Sequence, residues 1–260
     1  MKATVGIDPG HGGNSSGTYT INTVKDGLFE RDFTLEQALL IEKHLLRNGF
    51  KTVLTRRTDI NPGNVDQRAK VLVSAGVDFA VSVHFNGFSS ESANGTEVFV
   101  PHAEKFAGIE SGFYETLGKI FRIRMPFARS NSYFDRNRTF DKRLNRETRR
   151  FDAVSAEKDY FGFIRTCWEN GVSADLIEIC FLTNSDDFEK YLKNREQIAE
   201  GIARNIVEGF GEKYIPESLP EKPENEIAKP KITAAGRFGK NRLEMIKLIE
   251  KPLAEKIISR

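Results

Sequence analysis

Residues 5–13 read VGIDPGHGG. A short apolar run stops at Asp8-Pro9-Gly10, and a histidine follows between glycines. An apolar run cut off by Asp-Pro-Gly is the signature of a strand running into a turn. In α/β folds, ligands gather at the carboxyl ends of strands. A histidine at such a point is therefore the first candidate for a site, and the rest of the chain is read outward from it.

Residues 14–29 are polar and glycine-containing and read as a loop. A helix is expected over 33–48, with Leu35, Ala38, Leu39, Leu45 and Leu46 on one face and Thr34 with Gln37 as a capping box. Asn48-Gly49 ends it. Strands are expected at 50–56, 78–85, 95–101, 158–165 and 174–183, and helices at 64–76, 103–122 and 185–212, the last capped by Asn184 or Ser185. Alternating strands and helices imply an α/β domain, with a mostly parallel central sheet of about six strands flanked by helices. This α/β domain is expected to span 1–214. A proline- and charge-rich linker follows over 215–231, and a short helical tail, interrupted at Pro252, over 232–260.

Bulk composition narrows the function classes. The chain has 260 residues, 39% of them hydrophobic, and a net charge of +2, which is too mild to demand nucleic acid. Nothing has the length of a membrane span. Cys167 and Cys180 form neither a disulfide framework nor a C-x-x-C metal motif. The first strand begins at once, with no apolar stretch of signal-peptide length before it. That points to a chain made in the cytoplasm, which would reach an extracellular target only after release.

The glycine-rich turn is not a phosphate loop, because Thr18 stands where the lysine after Gly17 would be. The dinucleotide fingerprint fails as well. A metal is the better reading. His84, like His11, ends a strand, whereas His44 and His102 read as surface residues. Catalytic zinc takes three protein ligands and keeps one position open. A carboxylate is the natural third ligand, and Glu30 follows a loop long enough to return to the His11 turn. Glu178, in ADLIEICF, is a carboxylate within an apolar run. Burial there is costly unless the group is paired or used. It is either half of an ion pair, with Arg56 or Arg165, or a general base.

The stretches GIDPGHGG, FERDFTLEQA, SVHFNG, GTEVFV and LIEICFLTN, in that order, resemble the zinc-dependent N-acetylmuramoyl-L-alanine amidases of the type 3 family. The likeness covers roughly residues 3–212, except 122–150. It implies one zinc ion held by His11, Glu30 and His84, with Glu178 as catalytic base, and a substrate or supporting role for Asn86. Arg31 stands where such proteins commonly carry lysine. The implied substrate is peptidoglycan, cut between N-acetylmuramic acid and L-alanine, with no nucleic-acid or membrane partner. Absence of a leader suits a phage endolysin, or else a sporulation or autolytic amidase. Another zinc peptidase is the enzymatic alternative, although no HExxH is present. A non-catalytic wall-binding module would lack a ligand or the base. The arginine-rich stretch 122–150, with Arg136, Arg138, Arg143 and Arg146, is either a solvated excursion or a rim for anionic wall polymers.

Overall fold

The computed structural model describes residues 2–20, 28–101, 106–124, 144–145, 150–151, 159 and 161–217. Arg136, Arg138, Arg143, Arg146, His102 and the expected tail lie outside the described residues, as does most of the linker. The order is β1 Thr4–Pro9, α1 Glu30–Arg47, β2 Lys51–Leu54, α2 Val65–Ser74, β3 Phe79–Asn86, β4 Glu97–Phe99, α3 Ala107–Gly118, β5 Leu144–Asn145, β6 Arg150–Phe151, α4 Gly162–Glu169, β7 Ser173–Phe181 and α5 Ser185–Gly209. The main sheet has five strands in the order β2-β1-β3-β7-β4, and β5 and β6 form a separate two-stranded ladder. Strands β2, β1, β3 and β7 run parallel, while β4 pairs antiparallel with β7 at the edge.

The strand expected at 158–165 is not found among the described residues of that segment, because residues 162–165 belong to α4. Phe163, Ile164 and Cys167 are buried there at helical spacing. Phe163 and Cys167 pack with Ala69 and Leu72 of α2 and with Ala80 and Ala174 of the sheet, while Ile164 joins the larger core. The opposite face of the sheet is covered by α1, α3 and α5 through a larger core that includes Val81, Val83, Ile177, Ile179, Ile41, Phe113 and Ile202. Both faces are covered, as a parallel sheet requires. Cys167 and Cys180 are free and buried.

Helix α1 starts at Glu30, ahead of the expected position. The Phe29 N–H donates to the Asp32 carboxylate at 2.9 Å and caps it. The two side chains expected to form the cap serve tertiary contacts instead. Thr34 Oγ1 donates to the Gly10 carbonyl at 2.7 Å, and Gln37 Nε2 to the Arg195 carbonyl at 3.3 Å. The buried stripe runs Phe33, Ala38, Ile41, Leu45, leaving Leu46 exposed. His44 is not a surface residue. It is buried, with Nδ1 at 2.8 Å from Arg47 Nη2 and 3.2 Å from the Tyr214 hydroxyl. Ile215 N–H donates to Asn48 Oδ1 at 2.6 Å, so residues 214–215 are tied to the end of α1. Asn184 caps α5 by accepting from Asp187 N–H at 2.9 Å.

Beneath the carboxyl ends of the strands, Asp8 is fully buried. It accepts from Arg68 Nε at 2.9 Å and from Arg68 Nη2, from Thr55 Oγ1 at 2.6 Å and from Ser82 Oγ at 2.7 Å. Burial pushes its pKa up, but Arg68, Thr55 and Ser82 outweigh that and hold it below the usual value. Arg68→Met strands the carboxylate, and chemical denaturation is expected to show a loss of about 3–5 kcal/mol. Because the folded-state pKa is depressed, this contribution is fully present above about pH 4 and disappears as the pH falls through the folded value. The variant should therefore lose less stability than the parent on acidification below pH ~4. A change under about 1 kcal/mol at neutral pH would contradict this account of Asp8.

Candidate metal centre and active site

The turn after β1 is built to hold one ring. Gly10 N–H donates to the Val83 carbonyl at 2.9 Å, tying the turn to β3. A Cβ at Gly10 would lie 2.4 Å from His84 Cε1, so only glycine lets that ring lie over the turn. His11 has φ 60°, a left-handed conformation that side-chain-bearing residues rarely adopt. Strain of this kind persists only where the surroundings enforce it, and it concentrates at functional sites. Here Gly12 and Ser15 exchange backbone hydrogen bonds at 2.9 and 3.0 Å. Ser15 Oγ lies 3.0 Å from His11 Nδ1, which leaves Nε2 facing inward. Arg56 clamps the turn from behind. It donates to the carbonyls of Pro9 at 3.2 Å, Gly10 at 2.8 Å and Arg31 at 2.8 Å.

Glu30 is the first residue of α1 and is 3% exposed. Its N–H donates to the Thr18 carbonyl and its Oε2 accepts from Thr18 N–H, at 2.9 and 2.8 Å. Gly17, at φ +70°, makes room, since a Cβ there would fall 2.5 Å from Glu30 Oε2. Glu30 Oε2 lies 3.2 Å from His11 Nε2, and Oε1 lies 3.0 Å from His84 Nδ1 and accepts from Phe85 N–H at 3.0 Å. Burial pushes the Glu30 carboxyl up. Hydrogen bonds and charge from His11 and His84 more than reverse this and hold it well below the usual carboxylate range.

One donor atom from each of His11, Glu30 and His84 lies within 4.8 Å of the others, the one such grouping among the described residues. The imidazole rings meet edge to face with centroids 5.0 Å apart. Two imidazoles and a carboxylate are a natural donor set for zinc. The buried carboxylate supplies the negative charge that a divalent cation balances. The residues present thus fit a zinc ion.

Glu178 stands next in line. It pairs in register with His84 across β3 and β7, and with Glu97 across β7 and β4, so the three share one face of the sheet. Its Oε2 is buried and has no hydrogen-bond partner among the described residues. Burial, then the charges of Glu30 and Glu97, push its pKa well above the ordinary value. Neither arginine suggested by the sequence pairs with it. Arg56 clamps the turn, and Arg165 Nη1 donates to the Asp159 carbonyl at 3.0 Å. Asn86 donates to Glu97 Oε2 at 3.0 Å. Arg31 donates to the Gly13 carbonyl and lies 3.5 Å from Asp59, backing the turn from its outer side. Sequence reasoning missed Glu97. Its only local signal was an acid alternating with apolar residues in GTEVFV, which reads as an ordinary strand.

Residues 5–208 match the family model described as N-acetylmuramoyl-L-alanine amidase (Amidase_3). The amidase LytC of Bacillus subtilis is 33% identical over 96 residues, which is 37% of this chain and 18% of that protein. The germination-specific N-acetylmuramoyl-L-alanine amidase of the same organism is 29% identical over 106 residues, 36% of this chain and 43% of that protein. The matches thus cover less than half of either relative. Among solved structures, the catalytic domain of the amidase CwlV from Bacillus (Paenibacillus) polymyxa var. colistinus superposes with a TM-score of 0.56 at 27% identity. That likeness covers 82% of this chain and all of that one.

Proposed function

The chain belongs to the type 3 N-acetylmuramoyl-L-alanine amidase family, and from that membership we propose that it is a zinc hydrolase cutting the amide between N-acetylmuramic acid and L-alanine of peptidoglycan. The observation that carries the reading is the meeting of His11, Glu30 and His84 beside a buried, unpartnered Glu178 oxygen. Bound among the three ligands, zinc supplies Lewis-acid polarisation of a carbonyl and a lowered pKa for water.

The chain's own groups do the rest. His11 is fixed by its strained turn, and His84 by Glu30 and the gap at Gly10. Glu30 is committed to both rings and so cannot serve as base. Glu178 is free at Oε2. It takes a proton from the attacking water and passes it to the leaving alanine nitrogen. Asn86 acts at one remove, by holding Glu97 on the row that contains Glu178.

The phage-lysis setting, with the chain reaching the wall only after release, belongs to the same proposal. So does contact between the arginine-rich stretch and anionic wall polymers, which would appear as salt-dependent wall binding. The test is digestion of purified walls by zinc-loaded protein. New N-terminal alanine with intact muramic acid is expected, abolished by chelator and restored by zinc. New termini within the peptide would instead establish a peptidase, and no release at all would establish a binding module.

A further inference from the structure

The row of site residues does not end at Glu178. Strand order places the His11 turn, His84, Glu178 and Glu97 successively across the sheet. One further segment lies beyond β4. Thr96 N–H donates to the Arg122 carbonyl at 2.8 Å, and Arg124 N–H to the Thr96 carbonyl at 3.2 Å. Gly95, at φ +104°, permits this approach, since a Cβ there would meet the Arg122 carbonyl oxygen at 2.3 Å.

Arg124 is thereby fixed at its backbone, and its guanidinium is fixed twice more. Nε donates to Glu97 Oε1 at 3.1 Å, and the group sits 4.8 Å over the Phe181 ring. Its side chain is still 38% exposed, and its two Nη groups make no hydrogen bond among the described residues. A guanidinium held by its stem, with its fork open to solvent, is pre-organised for a carboxylate.

The proposed chemistry says which part of the substrate lies there. Glu178 delivers its proton to the leaving nitrogen, so the departing peptide is on the Glu178 side of the ligands, towards β4. Strands are spaced about 4.8 Å apart, which puts the Arg122–124 segment roughly 10 Å from β7. An extended peptide rises about 3.3 Å per residue. Two or three residues beyond the cut therefore reach Arg124. We propose that Arg124 recognises a carboxylate of the departing stem peptide, on its second or third residue, and so selects substrates by the charge they carry there. This inference rests on the amidase reading.

The test uses three probes. One is N-acetylmuramoyl-L-alanyl-D-γ-glutamyl-L-lysine with both carboxylates free. The others are amidated at the second or at the third residue only. For the parent protein, kcat/KM is expected to fall ~10-fold or more with one of the two amidated probes, which identifies the carboxylate used. Arg124→Gln should bring that ratio to within about twofold of one, and Arg124→Lys should give an intermediate ratio. Each ratio is taken within one protein, so differences in zinc loading or stability cancel. A parent ratio near one with both amidated probes overturns the proposal, as does an undiminished ratio in Arg124→Gln. Cleavage of none of the three probes overturns it together with the amidase reading, whereas cleavage without discrimination overturns Arg124 alone.

Discussion

Alanine at His11 or His84 is expected to abolish zinc binding and activity together. Each ring supplies one of three donor atoms that lie within 4.8 Å of one another. Among the described residues the site has no spare ligand placed to replace either. Glu178 is the proposed base and stands across the sheet in register with His84, and Asn86 is turned to Glu97. Loss of an outer-shell partner typically costs 10–100-fold in metal affinity, and loss of a direct ligand should cost at least ~100-fold. The two variants should also share a structural signature. Each leaves one oxygen of the buried Glu30 without its imidazole, so the carboxylate becomes harder to keep charged when no metal is present. Elemental analysis of each purified variant, with chelator competition, measures the effect. A His11→Ala protein that stays fully loaded and active would remove His11 from the site.

How much of this was legible in the sequence depends on how local each signal is. VGIDPGHGG announced a strand, a turn and a histidine within nine residues, and the structure bears out the strand and the turn. Asn184 as a cap was legible for the same reason, because its partner lies three residues away. The run KDYFGFIR misled, since a short apolar segment does not reveal its period. Only packing on α2 shows that its second half, from Gly162, is helical. Thr34 and Gln37 misled differently. Their spacing suits a cap, but Gly10 and Arg195 take their hydrogen bonds. Arg56 was noticed but matched to Glu178 rather than to the His11 turn, and Glu97 and Arg124 escaped notice, because their partners come from other strands and loops. Sheet register alone brings Glu97 beside Glu178, 81 positions apart in the chain. The proposed metal ligands, His11, Glu30 and His84, are also spread along the chain. They were legible because histidine at a strand end is rare enough to stand out, whereas an arginine or glutamate on a surface strand is not.

The second large effect separates the two glutamates. Glu178→Gln is expected to keep near-normal zinc and to lose kcat by a factor of roughly 100 or more. The amide preserves shape and volume, and at Oε2 it disturbs no existing hydrogen bond among the described residues. It also places no positive or negative charge beside Glu30, so the ligand cluster should stand. What it removes is the carboxylate's ability to accept a proton. Glu30→Gln should behave in the opposite sense. Glu30 accepts from Phe85 N–H and faces both imidazoles, so a neutral amide there removes the site's charge and sets an NH2 group against donors. Zinc affinity should fall first, and activity with it. Saturating zinc should restore part of the rate in Glu30→Gln and none in Glu178→Gln. Zinc titration followed by wall digestion reads both quantities on one sample. If Glu178→Gln loses the metal while Glu30→Gln keeps it, the two roles are reversed, and the row running from the His11 turn to Arg124 must be read with its base and its ligand exchanged.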